Sequence, residues 1–189
     1  MSTSDQTLTD PLAVGPHGQT YMHYAAEAGH VTILRLLTTT RSSGCKLNVN
    51  ALDNDGLTPL HWACLEGKHL AVQYLLESAG ATVNPPDNNG ETPLYLACLK
   101  GSLPCVNQLI KHSASINQQT KSGNTSLHIA IINNNLECIE RLLQCEADIN
   151  LKNNAGKTPM MVVAEESKPR LRHRLLNRQD NNNWIMNNV

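Results

Sequence analysis

One tetrapeptide recurs along the chain at nearly constant spacing. Thr58-Pro59-Leu60-His61 is followed by Thr92-Pro93-Leu94-Tyr95, Thr125-Ser126-Leu127-His128 and Thr158-Pro159-Met160-Met161, and preceded by Thr20-Tyr21-Met22-His23. The threonines stand 38, 34, 33 and 33 residues apart. A unit of this length cannot bury its own apolar face, so copies must stack and bury it against one another. The period therefore predicts a linear array of helix-turn-helix units. In such an array function is sought on a surface that many units share, not in a single catalytic cleft.

Composition agrees with an array. Of 189 residues 40% are hydrophobic, but only 3% are aromatic and Phe is absent. The core must be built from Leu, Ile, Val and Ala, which suits thin layers between closely stacked helices. The net charge of −1 gives no global field for nucleic acid or an anionic membrane. No stretch has the length and apolarity of a membrane span or a cleaved signal, so no membrane segment is expected. Cysteines stand at 45, 64, 98, 105, 138 and 145. Cys64 and Cys98 occupy one slot in successive units, as do Cys105 and Cys138. Stacked helices lie ~8–10 Å apart, beyond the ~7 Å a disulfide tolerates. The thiols read as small core residues of a reducing compartment. A cytoplasmic protein is expected, with the nucleus or a host cell's cytosol as alternative settings.

Each unit has the same local grammar. A turn ends in glycine at Gly18, Gly56, Gly90, Gly123 and Gly156. Asp53-Asn54-Asp55 and Asp87-Asn88-Asn89 precede two of these, and Asp and Asn favour turns while Gly takes positive φ. Thr58, Thr92 and Thr158 suit N-caps, and Pro59, Pro93 and Pro159 fit a first helical position that needs no N–H. Gly29, Gly67 and Gly101 end the short first helix, with Asn134 in their slot in the fourth unit. A second apolar-periodic helix follows, as in Ile139-x-x-Leu142-Leu143. The first unit holds five extra residues, placed at 40–46, and the second holds one, near Ser78-Ala79.

On these motifs the chain resembles an ankyrin-repeat protein. The resemblance implies a mainly α fold, an ankyrin-repeat solenoid of helix-turn-helix units with β-hairpin-like turns. It covers residues 14–177, with units near 14–49, 50–83, 84–116, 117–149 and 150–177. Residues 1–13 read as a flexible lead-in and 178–189 as an Asn-rich tail. The altered second helix of the last unit, Lys168 to Leu176, reads as an end cap. The resemblance also implies that His23, His61 and His128 bridge backbone groups of adjacent turns.

Chemistry has little foothold. The histidines follow the repeat spacing and not that of metal ligands, and no thiol has an activating context. Phosphate-loop, Gly-x-Ser-x-Gly and His-Glu-x-x-His patterns are missing. No enzyme, cofactor or metal is expected. The expected function is a non-enzymatic protein–protein interaction module or adaptor, monomeric on its own, binding a protein partner on the concave face. Two other settings stay open: a targeting domain of a larger enzyme or channel, and a pathogen effector acting on host proteins.

Counting from the tetrapeptide assigns the variable slots. One slot on the first helix reads Glu27, Leu65, Leu99, Ile132, Glu165 across the units. Its three central members form an apolar row with acidic ends, the pattern of an interface with a polar rim. Simple packing against the turns accounts for the row equally well. On the interface reading the partner-binding residues are Leu57, Leu65, Glu66, Asn89, Glu91, Leu99, Lys100, Ile132 and Asn133. Trp62 reads as core, its slot being apolar throughout. The basic run Lys168, Arg170, Arg172, Arg174, Arg178 reads as a solvated helix, without the aromatic interleaving of a nucleic-acid site. Trp184-Ile185-Met186 is a small apolar tip. Finally, Leu142, Asp148, Ile149 and Asn150 match a pattern that, in the resembled family, marks Asn150 for hydroxylation.

Overall fold

The structure is a computed structural model that describes residues 15–39 and 47–165, the last three as backbone alone. The lead-in 1–13, the insertion 40–46, the basic run and the tail lie outside the described residues. Helices come in pairs: α1 (Tyr21–Ala28) with α2 (Val31–Thr39), α3 (Pro59–Leu65) with α4 (His69–Tyr74), α5 (Pro93–Lys100) with α6 (Leu103–Lys111), and α7 (Ser126–Ile132) with α8 (Leu136–Gln144). A further helix, α9 (Pro159–Glu165), takes the first-helix slot of the next unit. The first helices α1, α3, α5, α7 and α9 pack in chain order as one layer, and α2, α4, α6 and α8 pack as a second.

Local chemistry sets the boundaries. The hydroxyls of Thr58, Thr92 and Thr125 accept the backbone N–H three residues on, so each first helix starts where its threonine caps it. Pro59 and Pro93 occupy the opening turn at no hydrogen-bonding cost. The first-to-second-helix reversal needs a left-handed residue. Gly101 supplies it at φ 78°, and Asn134 supplies it at φ 57°, a conformation Asn tolerates better than most side chains.

The core lies between the layers and between successive units. Leu60, Ala63, Cys64, Val72, Leu75, Leu94, Ala97, Cys98, Val106, Leu109, Ile131, Ile139 and Leu142 are almost wholly buried, which bears out a core of aliphatic and small side chains. Cys64, Cys98, Cys105 and Cys138 are free and buried, and Cys145 is free and half-buried. Across the interface the thiols of Cys98 on α5 and Cys138 on α8 lie close enough to couple electrostatically, with the slot-mate Cys64 a weaker influence.

The extra residue of the second unit has a definite home. In the third and fourth units the N–H of Ala114 and Ala147 bonds the carbonyl five residues back, at Leu109 and Leu142. In the second, Ala81 reaches six back to Leu75, and Leu75–Ala79 winds as a π-helix that Gly80 ends at φ 77°. A single inserted residue is absorbed as a wider turn, leaving Leu75 buried like Leu109 and Leu142.

Candidate surface of the inner helices and turn tips

The turn tips are built from backbone and Asx bonds. Within each tip one N–H closes the hairpin, Gly15 to the carbonyl of Gln19 at 2.6 Å, and Asp53 to Leu57, Asp87 to Glu91, Thr120 to Asn124 and Asn153 to Lys157 at 2.9–3.0 Å. Between tips one N–H reaches the preceding unit: Asn54 to His17, Asn88 to Asp55, Lys121 to Asn89 and Asn154 to Ser122, 2.8–3.0 Å. These are hairpin-like turns, with no strand among the described residues. The carboxylates of Asp53 and Asp87 accept two backbone N–H groups each inside their own tips. Asp53 also takes the indole N–H of Trp62 at 2.8 Å. Trp62 is thus half-buried and tied to the turn.

The tetrapeptide histidines lock tip to tip. The backbone N–H of Thr58 donates to His61 Nδ1 at 3.0 Å. An N–H can only donate, so Nδ1 is bare and the proton sits on Nε2. That proton is donated to the Glu91 carbonyl at 3.2 Å, in the next unit. His23 does the same between Thr20 and the Leu57 carbonyl, and His128 between Thr125 and the Lys157 carbonyl. Burial pushes all three below the usual imidazole value, against a smaller upward pull from the carbonyls. The third unit has Tyr95 instead. Its phenol is buried and pushed up to about 12, first by desolvation, then by Glu91 and Asp87.

Leu65 and Leu99 stand at the ends of α3 and α5, half-buried and packed against the core. Ile132 ends α7 and is more open, at 39%. Glu66, Lys100 and Asn133 follow them one residue on, and Lys100 Nζ lies 3.7 Å from the carboxylate of Glu66, the residue that closes α3. Leu57, Asn89 and Glu91 sit at the tips, where their carbonyls already serve His23, Lys121 and His61. Burial and the neighbouring Asp87 raise the Glu91 carboxyl. Glu27 is half-buried on α1, and Glu165 is described as backbone only. Asn150 is exposed, its N–H bonded to the Asp148 side chain. The side chains of its counterparts Asn50, Asn84 and Asn117 accept the N–H of Thr82, Ser115 and Asp148 in the following unit. Those cross-unit roles account for three of the abundant asparagines. Sequence spacing alone hid them, since the partner lies 31 or 32 residues away.

A second feature escaped the sequence reading. Beside α1 and α2 an open groove of about 630 Å³ is lined by Tyr21, Tyr24, Ala25, Ala28, Ile33 and Leu37, with Glu27, His30 and, from the second unit, Glu66 also bordering it. The signal was available: Ile33 and Leu36 are as apolar as interior residues, although nothing described stands before them.

Among the described residues no group of His, Cys, Asp and Glu could hold a metal ion, and no helix is long and apolar enough to cross a membrane. Comparison with protein families gives three overlapping matches to the family model of ankyrin repeats, over residues 3–87, 39–120 and 69–153.

Proposed function

The chain belongs to the ankyrin-repeat family, whose repeats generally act as protein–protein interaction modules, and from that premise we propose that it is a non-enzymatic adaptor docking a protein partner on the concave face of first helices and tips. The observation that carries the reading is the row Leu65, Leu99, Ile132. Three aliphatic side chains from three units share one slot, and each keeps part of its surface open. Isolated exposed aliphatics mean little, but an aligned row bordered by Glu66, Lys100 and Asn133 has the anatomy of an apolar strip with a polar rim. Leu57, Asn89 and Glu91 flank it at the tips. Contact energy in such interfaces concentrates in a few central side chains, so this row would supply most of it. The reading places the protein in the cytoplasm and treats it as monomeric until a partner binds.

Capture from cell extract with the wild-type chain and a Leu65→Ser, Leu99→Ser variant, read by quantitative mass spectrometry, tests this. The proposal expects specific partners to be lost from the variant while its helical circular dichroism persists. Both leucines are half-buried, so a fall in thermal midpoint of a few degrees is expected as well. A variant that unfolds would assign the row to the core. Retention of every partner by a folded variant would remove the concave face from consideration.

A further inference from the structure

Two aromatic rings line the groove beside α1 and α2. Tyr21 stands in the slot that Pro59, Pro93 and Ser126 fill elsewhere, all three buried. Tyr24 stands in the slot of half-buried Trp62 and buried Leu96. The repeat asks for no ring at the first of these positions, and both tyrosines are exposed. Along α1 Tyr21 and Tyr24 are three residues apart, as are Tyr24 and Glu27, while Ala28 comes four after Tyr24. Residues at these intervals neighbour one another on a helix surface, so the rings and Ala28 form one stripe with Glu27 at its edge. Ile33 and Leu37 of α2 line the groove as well.

The charge at this groove is of one sign. The half-buried Glu27 makes no ion pair or side-chain hydrogen bond among the described residues. Glu66 already has Lys100 at 3.7 Å and adds little net charge. No Lys or Arg lines the groove. Lys68 lays its stem against Gly29, just past α1, without an ion pair to Glu27. Arg35 of α2 is drawn to Tyr74 in the next unit, 5.8 Å from the ring centroid. Tyrosine rings attract a cation within about 6 Å, arginine more often than lysine, and a carboxylate binds guanidinium through charge-assisted hydrogen bonds.

We propose that this groove binds a polypeptide segment of a partner protein that sets an arginine among aliphatic side chains. The guanidinium lies on the rings of Tyr21 and Tyr24 and against Glu27, and the aliphatic neighbours cover Ala28, Ile33 and Leu37. Glu27 then selects for the cation, while the apolar wall supplies area that any aliphatic segment would use. The site lies at the first unit and stands whether or not the row Leu65, Leu99, Ile132 docks a partner. The chain's own lead-in fits it poorly, since residues 1–13 carry Asp5 and Asp10 and neither Lys nor Arg.

The probe is a synthetic peptide of about seven residues, roughly 23 Å when extended, blocked at both ends, with leucines on either side of a central arginine. Its twin carries neutral citrulline in place of the arginine. Each is titrated into ¹⁵N-labelled full chain, as wild type, Glu27→Gln and Tyr24→Leu, substitutions that leave the buried Met22, Ala25 and Ala26 of α1 in place. The proposal expects saturable shifts in the amides of α1 and α2, with the citrulline peptide bound about two- to fivefold more weakly. Glu27→Gln and Tyr24→Leu should each weaken the arginine peptide by a similar factor and change the citrulline peptide little. Equal affinity of the two peptides for wild type, a comparison that needs no variant to fold, would overturn the proposal. So would undiminished arginine affinity in either folded variant. Shifts confined to the surroundings of Leu65, Leu99 and Ile132 would overturn it and leave the concave-face reading standing. No shift at millimolar peptide would overturn it as well. Peptide binding that appears only after residues 1–13 are removed would make the lead-in the occupant, and shifts of α1 and α2 on diluting the free chain would make it a second copy; either result overturns the proposal.

Discussion

In the interior of the stack two slots of the second helical segment hold Ala71 and Leu75, Cys105 and Leu109, or Cys138 and Leu142, and all six are fully buried. The first unit fills the same two slots with Ile33 and Leu37, yet Ile33 is 43% exposed and Leu37 lines an open groove. Tyr24, in the slot of buried Leu96, is 42% exposed. The side chains are alike in character and differ in what stands beside them. Burial in a solenoid is thus a property of the neighbour, and the energy that holds a unit lies mostly in its two interfaces. Residue type alone does not mark an end.

Leu109→Ala removes a fully buried side chain and should cost about 2–5 kcal/mol, whereas Leu37→Ala in the equivalent slot should cost about 1 kcal/mol or less. Urea denaturation of the two variants measures both. Equal costs would mean that the outward flank is as well packed as an interior one.

The histidine bridges give a second dependence on the neighbouring unit. Each links one unit to the following one and must be neutral, because a proton on Nδ1 would face the threonine N–H. The folded-state value lies below the unfolded value of 6.5. As pH falls below about 6.5 the unfolded chain takes up protons that the folded chain refuses, so stability declines with acid in that window. Urea midpoints should be lower at pH 5.5 than at pH 7.5. A His61→Ala variant should be less stable by about 1–3 kcal/mol at pH 7.5 and lose part of that pH dependence. An unchanged slope would show that the imidazole is not held neutral by the fold.

The smallest effect concerns the reversal between paired helices. Asn134 holds φ 57° where Gly29, Gly67 and Gly101 hold φ 68–78°. Asn134→Gly relieves that strain and should stabilise by a few tenths of a kcal/mol up to about 1 kcal/mol, within reach of careful thermal denaturation.

Much of this order could be read from residues. The threonine caps, the proline-led first turns, the left-handed Asn134 and the bridging role of the histidines all follow from local chemistry or from the resemblance. The extra residue near Ser78-Ala79 could be located, but its absorption as a π-helix shows only in the bond from the Ala81 N–H back to the Leu75 carbonyl. Contacts that join residues a full unit apart stayed hidden, among them Cys98 with Cys138, Asn84 with Ser115, and Asn135 Nδ2 with the Cys98 carbonyl at 2.8 Å closing the end of α5. The binding row was only half legible. Spacing aligned Leu65, Leu99 and Ile132, but how far each is buried depends on the tips above it. That separates Ile132 from the two half-buried leucines as the cleanest probe.

Ile132 and Leu136 make a matched pair, exposed at 39% and 41% on α7 and α8, one on the proposed face and one off it. The deciding measurement is the dissociation constant of a captured partner for wild type, Ile132→Arg and Leu136→Arg, by titration calorimetry on folded protein. Docking along the inner helices predicts at least about tenfold weaker binding for Ile132→Arg, roughly 1.4 kcal/mol, and no more than about twofold for Leu136→Arg. Equal losses, or a loss confined to Leu136→Arg, would contradict it.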